Sequence, residues 1–170
     1  MDDLGRVVIP KEIRRTMKIG EGTPLEIFID KDGGIIFRKY SPVGEMSESA
    51  QRMSECVSAM CDAGVAVSDR DRIVAAAGVP KKELVDKPVS KQLEELMRKK
   101  KPFISSGEDT VLAADGGLRT ADAAFPILSQ GDICGMFMLI KGEHSRPGEP
   151  EDSLRLAKLA ASFLGRETVQ

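Results

Sequence analysis

Pro10 sits between the β-branched run Val7-Val8-Ile9 and the basic run Lys11 to Lys18. A proline has no N–H to give a strand ladder, but it fits the first position of a helix, where that donor is orphaned anyway. Arg6 to Ile9 therefore reads as a short strand, and Lys11 to about Lys18 as a helix. Gly20 and Gly22 supply the left-handed or turn conformations that end it. Pro24 to Asp30 alternates Leu25, Ile27 and Ile29 against Glu26, Phe28 and Asp30, the pattern of a strand with one favoured apolar face. Lys31-Asp32-Gly33-Gly34 is a turn, Ile35 to Tyr40 the return strand, and Ser41-Pro42 closes the unit.

A unit of about forty residues with no disulfide and no metal rarely buries enough apolar surface to stay folded alone. The expectation is an obligate dimer in which strands of two chains share one core. The alternative is packing against the rest of its own chain.

Lys11, Arg14, Arg15 and Lys18 fall at spacings of three and four, along one side of a helix, while Ile13 and Met17 point elsewhere, toward a core. Arg6 lies just before them, and Glu12 is the one acid in the stretch. DNA offers closely spaced phosphates and guanine edges; the arginine fork matches both with paired hydrogen bonds, and lysine adds a less directional phosphate contact. The whole chain has a net charge of −2. Any nucleic-acid contact must therefore sit in a local patch. A merely solvated helical face is the competing account. In a two-fold dimer the patch doubles, and its spacing can match that of the groove.

Further along, Met46, Ala50, Met53, Val57 and Met60 form a heptad-like seam. It suits either a coiled-coil linker between protomers or a helix lying on its own domain. From Ala63 the pattern turns α/β. VAVSD and RIVAAAG read as strands joined at Arg70-Asp71, followed by a short helix from Lys81 to Asp86. Ser90 is an N-cap for a helix with Leu93, Leu96 and Met97 on one face. Its basic end, Arg98 to Lys101, suits the helix dipole. Phe103 to Ser106 is a strand, Asp115-Gly116-Gly117 a loop, and Ala123–Leu128 with Ile133–Ile140 a hairpin across Gln130-Gly131-Asp132. A last helix starts near Glu151, with Leu156, Leu159, Ala160, Phe163 and Leu164 on its apolar stripe.

Several function classes drop out. Cys56, Cys61 and Cys134 are an odd set without CxxC spacing, which reads as free thiols in a reducing compartment. His144, the one histidine, lies in the loop-like stretch KGEHSRPGEPED, where a catalytic or metal role is a poor fit. No nucleophile–base pair, Walker loop or metal cluster is present, so neither an enzyme nor a cofactor is expected. No apolar run reaches the roughly 18 residues of a membrane span, and the N-terminus lacks a signal layout. The expected location is the cytoplasm, at the nucleoid.

The run LGRVVIPKEIRRTMKIGEGTPLEIFID, with its turn and KY-S-P ending, resembles the AbrB family of swapped-hairpin transcription factors. The segment AAFPILSQGDICGMFMLIK resembles the late hairpin of GAF domains. Together they resemble the SpoVT-like sporulation regulators, which join an AbrB-type DNA-binding domain to a GAF domain. The resemblance implies an α+β fold: a small swapped-hairpin β-rich domain over 1–43, then an α/β GAF-like domain over 44–170 with flanking oligomerisation helices. It implies DNA contacts by Arg6, Arg14 and Arg15; Lys11 and Lys18 are added from helix geometry. It also implies a dimer of dimers, assembled through the GAF side. Phe103, Phe125, Met136 and Met138 lie on predicted strands and either line a small-molecule pocket or belong to ordinary core. The partners expected are double-stranded DNA, further copies of the chain and an unidentified small ligand.

The leading function is a sequence-specific regulator of sporulation-type transcription. The alternative is an antitoxin, since AbrB-type domains also serve in toxin–antitoxin pairs. Relatives begin with an extra strand ahead of DDLGR, whereas this chain starts at Met1-Asp2-Asp3. The expectation is weaker dimerisation and DNA binding than in a version carrying that strand.

Overall fold

The structure is a computed structural model that describes residues 6–41, 43, 47–106, 109–141 and 151–168. The chain divides into two compact units, Met1–Tyr40 and Ser41–Gln170.

In the first unit, helix α1 (Lys11–Thr16) precedes a hairpin of strands β1 (Leu25–Ile29) and β2 (Ile35–Lys39). The strands pair antiparallel from Leu25↔Lys39 to Ile29↔Ile35. The turn closes as expected: the Gly33 N–H donates to the Asp30 carbonyl at 3.0 Å, with Gly33 at φ 80°. One expectation fails within the single chain, because residues 6–10 are not in a strand. β-Branched residues favour extended backbone, but a strand needs a ladder partner. Much of the unit's apolar surface is also uncovered. Val7, Val8, Ile13, Ile27, Ile29, Ile35 and Ile36 are all exposed, Val8 at 83% and Ile29 at 81%.

The second unit is built on an antiparallel sheet. Helix α2 (Ser47–Cys61) leads into strands β3 (Gly64–Ser68) and β4 (Ile73–Ala77), a 3₁₀ turn (Lys81–Glu83) and helix α3 (Lys91–Lys99). Short strands β5 (Phe103–Ile104) and β6 (Val111–Leu112) precede the long hairpin β7 (Thr120–Ser129) and β8 (Asp132–Ile140), and helix α4 (Glu151–Glu167) follows. Strand order is β4-β3-β8-β7-β5, with β6 also paired to β7. The sheet is buried on both faces. Val65, Val67, Phe125, Phe137 and Leu139 pack under α2 and α4. Ala66, Ala124, Met136, Met138 and Ile140 pack on the other side with Leu84, Leu93 and Met97. Neighbouring residues alternate between these two cores, as the pleat requires.

Ser90 caps α3 as expected, its Oγ accepting from the Leu93 N–H at 3.1 Å. The Lys81 helix is shorter than expected, a single 3₁₀ turn. In the α2 seam, Ala50 and Val57 are buried on the domain's own sheet, Met53 packs against that core, and Met60 is exposed; Met46 lies outside the described residues. The α4 stripe needs correction. The residues turned inward are Ser153, Ala157, Ala160, Ala161, Leu164 and Gly165, whereas Leu159 and Phe163 stay 65% and 45% exposed. The helix lies so close to β7 that a Cβ on Gly165 would run into the Leu128 carbonyl. Alanine, serine and glycine make up most of that face, together with the fully buried Leu164.

The start of this unit is tied down. Val43 is fully buried among core residues. The Ser41 hydroxyl donates to Asp69 Oδ2 at 2.8 Å. Asp69 is itself buried and accepts the Asp71 and Arg72 N–H groups, each at 2.8 Å, which shapes the β3–β4 turn.

Candidate nucleic-acid interface

Helix α1 starts at Lys11, where the sequence places it, and ends at Thr16, short of Lys18. Pro10 flanks it at φ −54°, ψ 146°, and its carbonyl accepts the first helical bond from the Arg14 N–H at 3.0 Å. Six residues are too few to hold a helix by propensity alone. Its end is closed by a Schellman arrangement: the Ile19 N–H reaches the Arg14 carbonyl at 2.8 Å and the Lys18 N–H reaches that of Arg15 at 3.3 Å. The left-handed residue is Lys18, at φ 51°, not a glycine; Gly22, at φ 75°, shapes the next turn.

This geometry distributes the five candidate cations. Lys11, Arg14 and Arg15 share one exposed face of α1, opposite Ile13. Lys18 is exposed but carried past the helix by its left-handed backbone. Arg6 is exposed in the segment leading into Pro10. Arg15 pairs with Glu12 at 3.1 Å. Both are well exposed, so this contact is worth about 0–1 kcal/mol and holds the arginine only loosely. Two guanidinium groups and two ammonium groups thus stand at one short helix and its exit, where phosphate oxygens can reach them.

The hairpin adds one cation that the sequence reading passed over. The Arg38 guanidinium lies 5.1 Å from the Phe28 ring centroid, a cation–π arrangement. Its position diagonal to Phe28 across β1 and β2 is legible only once the register is known.

The four residues considered for a small-molecule pocket do not share one. Met136 and Met138 are fully buried and Phe103 packs with them, whereas Phe125 lies in the core on the other side of the sheet. They belong to two packed cores. Cys134 is also buried, and burial pushes its thiol up, away from the reactive thiolate. Among the described residues, no group of three or more His, Cys, Asp and Glu side chains could hold a metal ion. His144 lies outside the described residues. No helix among the described residues is long and apolar enough to cross a membrane.

Comparison with known proteins assigns each unit. Residues 45–168 match the family described as "Stage V sporulation protein T C-terminal, transcription factor". Residues 2–45 match "Antidote-toxin recognition MazE, bacterial antitoxin". The chain is 37% identical over 172 residues to Stage V sporulation protein T of Bacillus subtilis, covering 100% of this chain and 95% of that protein. It is 45% identical over 60 residues to the Transition state regulatory protein AbrB of the same organism, covering 32% of this chain and 62% of that protein. The fold resembles the GAF domain/HD domain protein from Geobacter sulfurreducens, with a TM-score of 0.57 at 13% identity over 75% of this chain and 94% of that one. It also resembles the GAF domain of an Acinetobacter phosphoenolpyruvate-protein phosphotransferase, with a TM-score of 0.56 at 8% identity over 77% of this chain and 84% of that one. The α+β architecture, an AbrB-like unit followed in the chain by a GAF-like one, is therefore the one that the sequence implies. An identity of 37% sustained from end to end makes this chain a member of the stage V sporulation protein T family of transcription factors.

Proposed function

We propose that this transcriptional regulator binds duplex DNA through Arg6, Arg14 and Arg15, with Lys11 and Lys18 as phosphate contacts, on a unit made of two chains. The observation that carries this reading is the contrast between the two sides of α1. Exposed cations line one side, and on the other Ile13 and Met17 are exposed together with the apolar residues of the hairpin. A second copy that covers those apolar side chains leaves the cations facing outward, twice. The segment at 6–10, mostly exposed and in no strand of its own chain, offers such a copy a stretch of β-branched residues to pair with. Leu159 and Phe163 on α4, with Met60 on α2, favour further association through the GAF-like side, giving a dimer of dimers. Cytoplasmic residence at the nucleoid follows from that role.

The test is the double substitution Arg14→Ala with Arg15→Ala. Specific binding in a footprinting assay is expected to vanish, with a loss of at least about 2 kcal/mol, while light scattering shows an unchanged oligomer. A normal footprint overturns the site assignment.

The match of residues 2–45 to an antitoxin family favours a second reading, in which the chain neutralises a toxin. Antitoxins of this kind usually carry a short disordered toxin-binding tail, whereas residues 45–168 here match a transcription-factor domain. A neighbouring toxin gene whose product co-purifies with the chain would support it.

A further inference from the structure

The second unit carries a charged groove, and none of the residues that line it is among those discussed for DNA. It has a volume of about 660 Å³ and lies between the 3₁₀ turn after β4 and the loop that leads into β7. Its lining includes Glu83, Lys87, Gly116, Arg119, Thr120 and Lys141. The walls are tied together. Arg119 Nε donates to Glu83 Oε2 at 2.8 Å, joining the β7 loop to the 3₁₀ turn. The Lys141 N–H donates to the Thr120 carbonyl at 2.8 Å, joining the end of β8 to the start of β7. Gly116, at φ 62°, has nothing within 4 Å of where a Cβ would stand, so that wall stays bare.

The charges do not balance. Among the described residues of the lining, three cations, Lys87, Arg119 and Lys141, accompany one carboxylate, Glu83, an excess of two positive charges. The Arg119 hydrogen bond lowers the Glu83 pKa and keeps that carboxylate ionised, so one cation is already answered. Asp122, farther along β7, feels Lys141, but burial raises its own pKa and it is not part of the lining. Among the described residues, the lining has no aromatic side chain to stack on a base or ring. The interior beside α3 is no competitor, because Met136, Met138, Leu93 and Met97 fill it.

We propose that this groove binds a small aliphatic dianion, a phosphate monoester or a dicarboxylate, with Lys87 and Lys141 as its two point charges and Arg119 held at its back by Glu83. Lysine suits this role, because a compact ammonium meets phosphate or carboxylate oxygens from many directions. The space is of the order that small-molecule sites occupy, roughly 300–1,000 Å³. The proposal stands apart from the DNA reading and neither needs the other.

The test titrates the full-length chain with inorganic phosphate and, separately, with succinate, at constant ionic strength. Amide chemical shifts are followed by NMR. Saturable changes are expected at residues 83–87, 116–120 and 141, with half-saturation near or below about 1 mM. The double substitution Lys87→Ser with Lys141→Ser should raise half-saturation by at least about tenfold, with the remaining shifts and the ligand-free melting temperature unchanged. Lys141→Ser alone, at an exposed position, should give a smaller change in the same direction. Saturation by phosphate alone identifies a phosphate monoester, and saturation by succinate alone a dicarboxylate. Non-saturating shifts, shifts scattered over all surface lysines, no response to either anion, or an unaltered response in the double variant would each overturn the proposal.

Discussion

Lys18 combines two demands in one residue. Its backbone holds the left-handed position that closes α1, and its side chain belongs to the proposed phosphate contacts. A non-glycine residue in that conformation costs roughly 1 kcal/mol. Lys18→Gly is therefore expected to stabilise the first unit by up to about 1 kcal/mol in a urea titration, while weakening DNA binding across all sequences. The slope of log affinity against log salt should flatten by about 1 for each copy that loses a contact. An unchanged slope would remove Lys18 from the interface. The sequence alone names glycine as the stop, because Gly20 and Gly22 follow so closely and glycine adopts positive φ most readily. Ser90 shows the opposite case. A cap works through one side chain and one N–H three residues on, so a local motif suffices to read it.

Among the elements, α4 shows most directly why part of the fold was hidden. Hydrophobic periodicity weighs large residues most heavily, and it picks the stripe through Leu159 and Phe163. Ala160 and Leu164 of that stripe do turn inward, but the rest of the face on the sheet is Ser153, Ala157, Ala161 and Gly165, because the helix axis lies close to β7. Gly165→Ala should accordingly cost about 1–3 kcal/mol or more, read as a fall in the urea midpoint, since its Cβ would meet the Leu128 backbone. An unaltered midpoint would mean that α4 can lift from the sheet at little cost. The supposed pocket residues failed for a related reason. Val65, Ala66 and Val67 are all buried, and so is every residue from Cys134 to Ile140, so polarity does not mark which face of the sheet each occupies. Phe125 and Met136 look alike in sequence and lie on opposite sides. The β1–β2 and β7–β8 hairpins were legible because Gly33 and Gly131, both at positive φ, mark their turns.

For the molecule as a whole, apolar surface left open in each unit points to assembly. On the proposed dimer of dimers, the double substitution Leu159→Asp with Phe163→Asp is expected to leave the circular dichroism spectrum unchanged and to lower the mass measured by light scattering from four copies to two. Affinity for a DNA carrying two operators should fall with it, because the linked pairs lose their effective concentration. A variant that stays at the parental mass would place the higher-order contact elsewhere. The DNA-binding unit was legible from motif density in the first forty or so residues, and the fold class from that run together with the hairpin over 123–141. The state of residues 6–10 was not, since β-branched residues mark a preference for extended backbone without naming the ladder partner that a strand needs.

The close seating of α4 separates two jobs that most helices combine. Its inner side chains secure the domain, so the outer ones can change with little penalty to folding. Related regulators sharing one cell could thus drift apart along this outer strip until each recognises its own kind, and mixed assemblies would cease to form.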